Sequence, residues 1–305
     1  MRRILAVIIF VLGVALLIAG LKGWLLQGVS IGALLTLTGG VLFGVSFIAP
    51  PAVGLDAPPP LSPFGRVAGL FFEPSRVFRN LRAHPRWVLA FAIILLCSVV
   101  YNLAFTQRLG IEAITAASVN RALQDQPVTP AQAASITRQQ VAMAKSPFGR
   151  ITQVIGQAVS VFLFMVVLAA LFKMGIAATG GRINFWQAIC VGLYAAVPPV
   201  VIHSVLSLVI LYAASPDDID PVRAQRGLLR DNLGLLFSPV AHPILYTVAT
   251  FIGFVSLYGL WLTAKGLHHA SERSSAGGAW TVALAVWLIN LGFSVGMAAL
   301  YPKFI

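Results

Sequence analysis

Residues 185–212 read FWQAICVGLYAAVPPVVIHSVLSLVILY and contain no Asp, Glu, Lys or Arg. As one helix this stretch would rise about 42 Å at ~1.5 Å per residue, more than the ~30 Å hydrocarbon core of a bilayer. It carries no charged face, so it reads as a span and not as the surface helix of a soluble fold. Pro198 and Pro199 lie inside it. Each proline removes a backbone donor, and a break inside a span can mark a cavity or a hinge.

Six more runs share this character: Ile4–Leu21, Val29–Ala49, Trp87–Thr106, Ile151–Phe172, Val240–Thr263 and Trp280–Leu300. They are continuously apolar, without the alternation that barrel strands need, and hydrocarbon requires backbone groups to be satisfied within the segment. The expected fold is therefore an all-α, polytopic transmembrane helical bundle with seven spans. The composition agrees: 58% of residues are hydrophobic and only 10% charged, outside the range of soluble domains.

The organisation follows from what separates the runs. Arg2 and Arg3 precede the first run. That run is long for a signal peptide and lacks a small-x-small cleavage site, so an uncleaved anchor is expected. The first two runs form an N-terminal hairpin over residues 1–49. In the second run Gly28 and Gly32, then Gly40 and Gly44, have the spacing that lets helices approach closely, as do Gly292 and Gly296 near the end. These pairs are the candidate contacts for a homo-oligomer. Six prolines between Pro50 and Pro63 mark an extended linker over 50–63. Residues 64–305 then hold the other five spans.

Between the linker and Trp87, Arg66, Arg76, Arg79, Arg82 and Arg86 interleave with apolar residues. Val77, Phe78 and Leu81 share one helical face while Arg76, Arg79 and Arg82 point elsewhere. The segment reads as a short basic amphipathic helix at the membrane surface and as the positive flank of the next span. These five arginines are the candidate contacts for anionic headgroups or a protein partner. The net charge of +12 would suggest nucleic acid in a soluble protein. Here the basic residues flank spans, so membrane lipids are the expected partners and nucleic acid is not. The cluster before Trp87 puts the N-terminus on the cytoplasmic side, and seven crossings put the C-terminus on the outside.

The longest polar stretch, 107–150, contains two helical candidates. One covers Ile111–Gln124, and the other begins at Thr129-Pro130, a cap followed by proline at the first helical position. Ser215-Pro216-Asp217-Asp218 likewise reads as a cap, a proline and first-turn acids.

No Asp, Glu, Lys or Arg sits deep in any run, which argues against a proton pump or a voltage sensor. The polar residues inside spans are Asn102, Gln153, Gln157, Gln187, His203 and Asn290. Asn and Gln mostly cross-link helices. His203 follows the proline pair by about one and a half turns and, with Pro198 and Pro199, could line a path. Cys97 and Cys190 lie in apolar runs and form no metal-type pair, and adjacent His268 and His269 cannot share one helical face. No nucleophile elbow, zinc-protease motif or phosphate loop is present. No catalytic residue, metal or cofactor is expected.

Phe72-Glu73-Pro74, Phe78, Leu81 and Pro85-Arg86-Trp87 entering a span, then Gly180-Gly181, Phe185, Gln187-Ala188, Tyr194 and Pro198, and then Pro216-Asp217-Asp218, resemble the bacterial form of the Ypt-interacting-protein (Yip) domain family from about Gly65 onward. The resemblance implies a five-span domain, cytoplasmic before its first span and non-cytoplasmic at its end. Eukaryotic members bind Rab-type GTPases, but their aspartate-leucine-tyrosine-glycine-proline signature is absent here. That partner is therefore not carried over, and no defined chemistry follows from the resemblance. The expected function is a non-enzymatic membrane protein that organises lipids or partner proteins. The alternative is a transporter or channel with a path near Pro198, Pro199 and His203.

Overall fold

The structure is a computed structural model that describes residues 2–24, 28–52, 57–124 and 128–300. Helices α1 (Arg2–Leu21) and α2 (Gly28–Val45) form an antiparallel hairpin. Their backbones touch: a methyl group at Gly13, Gly32 or Gly39 would collide with the backbone of Thr36, Leu17 or Phe10. Such contact supplies the van der Waals packing that replaces hydrophobic drive in lipid. Gly28 lies on this seam against Gly20, whereas Gly44, Gly292 and Gly296 face open space.

The basic segment is two helices, α3 (Pro63–Phe72) and α4 (Pro74–Ala83), where the sequence suggested one. Pro74 explains the division: it has no N–H to continue α3 and pushes the preceding Glu73 out of helical geometry. Helix α5 (Val88–Leu109) then crosses the bundle. The polar helices α6 (Ile111–Leu123) and α7 (Pro130–Lys145) follow, the second opened by a Thr129–Gln132 capping box. A Lys145–Glu112 ion pair ties them together. Helix α8 (Pro147–Ala178) returns, and α9 (Phe185–Ala213) runs through the middle of the bundle, touching α3, α4, α5, α8 and α11.

Two differences from the sequence reading matter for function. Helix α9 does not break at Pro198-Pro199; it is continuous through both. Packing holds it, since Pro199 lies against Gly259 of the neighbouring helix, and flanking helices stabilise proline-containing spans in lipid. The break falls instead in the run Val240–Thr263, which divides into α10 (Pro243–Thr250) and α11 (Phe254–Ala270). At 17 residues, α11 is about 25 Å long. With α12 (Ala276–Leu300), six helices among the described residues are long and apolar enough to cross a membrane, and α11 is a shortened seventh.

The outer surface confirms the solvent. Leu96, Leu103, Phe164, Val167, Val209 and Phe293 are all more than half exposed, far more contiguous apolar surface than water tolerates. The chain is an all-α, polytopic membrane protein.

Candidate functional site

One end of the bundle carries α3 and α4. The α4 face formed by Val77, Phe78 and Leu81 is fully buried against α9 and α11. The ring of Phe78 sits so close to Gly266 that a Cβ there would meet it at 2.9 Å. Asn80, on the same buried face, binds the linker: its Nδ2 donates to Pro59 O at 2.8 Å, and Leu61 N donates to its Oδ1 at 3.1 Å. Gln187 caps α9 by accepting from Asn184 N at 2.7 Å and reaches α4 by donating to Arg82 O, also at 2.7 Å. It acts as a cross-link between helices.

With one face of α4 buried, the other presents Arg76, Arg79 and Arg82 to the surroundings, and Arg86, between α4 and α5, is exposed beside them. Arg76 pairs with Glu73 at 3.1 Å and Arg82 with Glu272 at 3.3 Å. Arg79 donates to Ser75 O of its own helix at 3.3 Å. Beside them on α3, Phe64 and Phe72 are over 80% exposed.

Arg66 departs from the expected role. It is 3% exposed, and its guanidinium donates to Leu61 O at 2.7 and 3.0 Å. It shares the inward face with Leu70, one helical turn on, so it holds the linker and cannot meet a headgroup.

The opposite end is built from the loop after α9, which folds back over the bundle. Tyr101 of α5 donates to Ala224 O at 2.6 Å. The buried Ser207 of α9 accepts from both Leu228 N and Leu229 N at 3.1 Å. The expected cap at Ser215 forms no side-chain hydrogen bond, and Pro216–Asp218 is a single 3-10 turn. Asp220 binds the protein itself: it accepts from Val222 N at 2.9 Å and Arg223 N at 3.2 Å and pairs with Arg121 at 3.5 Å. Burial raises its pKa, but those N–H groups and the Arg121 and Arg223 charges outweigh it and hold the carboxyl below its ordinary 3.8.

The loop then enters the break between α10 and α11. Asn232 and Gly253 form an antiparallel bridge, Leu233 N donates to Ile252 O at 3.1 Å, and Val255 N donates to Asp231 Oδ2 at 2.7 Å. A carboxylate from another segment thus caps α11 where its own sequence offers only Gly253. Beneath this strap lies a cavity of about 460 Å³. It is lined by apolar residues such as Leu168, Phe172, Gly192 and Val286 and by polar Asn290, and its rim at the strap holds Asp231, His203 beside Gly227, and Trp287 with its ring against Phe251. His203 stands about 27 Å along α9 from Phe185, near the far edge of a ~30 Å core.

The structure therefore gathers His203, Asn290 and Pro199 around one cavity and places Gln157 elsewhere, half-buried on α8. Asn102 bonds only locally, to Ser98 O at 2.9 Å. Asp231 and Trp287 escaped sequence reasoning. The Asp lies in a loop that only the fold brings to the rim, and the Trp reads as an ordinary span aromatic. Among the described residues no three His, Cys, Asp or Glu side chains converge.

No curated protein and no solved structure matches the chain. A family model does: that of the Yip1 domain, over residues 68–297, from within α3 to within α12 and so including α4 and the strap with its cavity. By that match, covering well over half its length, the chain belongs to the Yip1 domain family.

Proposed function

We propose that this Yip1-domain protein is a non-enzymatic organiser of the membrane, gathering anionic lipid headgroups on its α3–α4 face. The observation that carries the reading is the four outward arginines of 76–86 beside the exposed rings of Phe64 and Phe72. Rings of this kind seat a helix at the acyl boundary while guanidiniums reach phosphates. An arginine near an anionic leaflet contributes about 1 kcal/mol, so four amount to about 4 kcal/mol. The Arg76–Glu73 and Arg82–Glu272 pairs do not oppose this strongly, because exposed ion pairs are worth about 0–1 kcal/mol. The positive-inside rule places this face at the cytoplasmic leaflet. A membrane-protein partner with an acidic surface would use the same face.

The test is the lipid that stays with the purified protein. Changing Arg76, Arg79 and Arg82 together to Glu should deplete co-purifying anionic lipid severalfold while leaving zwitterionic lipid unchanged. An unchanged anionic fraction would remove the reading.

A solute path past His203 is the weaker alternative. Every residue of α9 from Phe185 to Ala195 is buried, so the cavity meets a packed inner half and no continuous polar route. Protein in liposomes that moves no ion or small solute above empty controls is the expected result.

A further inference from the structure

We propose that the cavity under the 231–233 strap is a binding site for one amine-headed phospholipid, its acyl chain against the apolar lining and its headgroup at the polar rim. The volume of about 460 Å³ lies in the range of small-molecule sites. Its lining combines apolar and polar side chains. Phe164, Leu168, Phe172 and Val286 are among the apolar residues, while Asp231 and Asn232 of the strap and Trp287, whose ring meets Phe251 in the break, bring polar groups to the strap end. A ligand with an apolar tail and a polar end matches that lining, and a wholly polar solute does not.

Two unfinished interactions at the rim specify the headgroup. Trp287 Nε1 is buried and, among the described residues, has no hydrogen-bond partner. A buried donor without an acceptor is costly, so a ligand oxygen there is favoured. Asp231 spends Oδ2 on Val255 N. Among the described residues no side chain forms an ion pair with Asp231, and His203 on the same rim lies within reach of its charge without pairing with it. A carboxylate at a low-dielectric rim favours a cationic donor. An ethanolamine lipid supplies both halves at once, ammonium hydrogens for Asp231 and phosphate or ester oxygens for Trp287. The depth agrees, since the rim lies near the far edge of the hydrocarbon, where headgroups begin. Leu235, Leu236 and Phe254, all over 60% exposed, surround the strap with lipid-facing side chains. The site is at the end of the bundle away from the arginine face and does not depend on it.

The experiment titrates the full chain in mild detergent with phosphatidylethanolamine, phosphatidylcholine or phosphatidylglycerol of matched chains, read by native mass spectrometry. The wild type should hold one ethanolamine lipid, with choline, which has no N–H to donate, held more weakly. Asp231→Asn keeps an oxygen for Val255 N but loses the charge, and should weaken ethanolamine lipid about tenfold. Trp287→Phe keeps the ring against Phe251 but loses the N–H, and should weaken it about fivefold. Thermal unfolding of each variant is recorded alongside. If Asp231→Asn unfolds, Trp287→Phe carries the test alone, because its indole N–H makes no bond in the fold. Wild-type ethanolamine affinity in a folded Trp287→Phe protein overturns the site. So does an Asp231→Asn change that weakens all three lipids equally.

Discussion

Asp231 Oδ2 accepts the backbone N–H of Val255 at 2.7 Å, capping a helix that starts inside the bundle with a side chain from a different segment. The first turn of α11 has no side-chain cap of its own. Removing the carboxylate would leave orphan donors in a poorly hydrated place. Asp231→Ala should therefore cost about 1–2 kcal/mol of stability, and Asp231→Asn distinctly less. Unfolding midpoints of the two variants in one detergent check the order; equal midpoints would show that the cap contributes nothing.

Ser207 carries the loop before the strap through one oxygen that accepts two backbone donors. Ser207→Ala should strand both and cost about 1–3 kcal/mol. The local sign is faster hydrogen exchange at Leu228 and Leu229, with α5 and α8 unaffected.

Gly227 holds a φ of 125°, a conformation that residues with an L side chain rarely adopt. A Cβ there would also strike the His203 ring. Gly227→Ala should therefore destabilise the loop end, and the double change Gly227→Ala with His203→Ala should recover part of the loss. No recovery would mean that backbone strain alone sets the cost.

Asp220 sets a pH limit on the same loop. Its folded pKa lies below the ordinary 3.8. The stabilisation is thus fully present above the unfolded value and is lost as pH falls through the lower folded one. Protection of the Val222 and Arg223 amides should stay level from neutral pH to about 5 and fall only below the ordinary carboxylate range. Asp220→Asn should abolish that acid-side change.

What the sequence made legible and what it hid have one physical origin. Apolar length marks spans whatever their partners, so α1, α2, α5, α8, α9 and α12 were readable. Thr129-Pro130 marked the start of α7, because capping is local chemistry. Arg66 counts as a headgroup candidate by residue type, but it is buried with Leu70, four residues on and on the same helical face. The break at Phe251–Gly253 was hidden because two of its three residues are apolar and the stabilising Asp231 lies outside the run. Pro198-Pro199 drew attention by residue type, yet packing against Gly259 decides that helix α9 continues.

All of these readings depend on where the chain crosses the bilayer. Reporter fusions after residue 64, ahead of most of α3, and after residue 230, ahead of the strap, measure this directly. The account predicts that the two positions label opposite compartments, with residue 64 on the cytoplasmic side. Both reporters in the same compartment would contradict it.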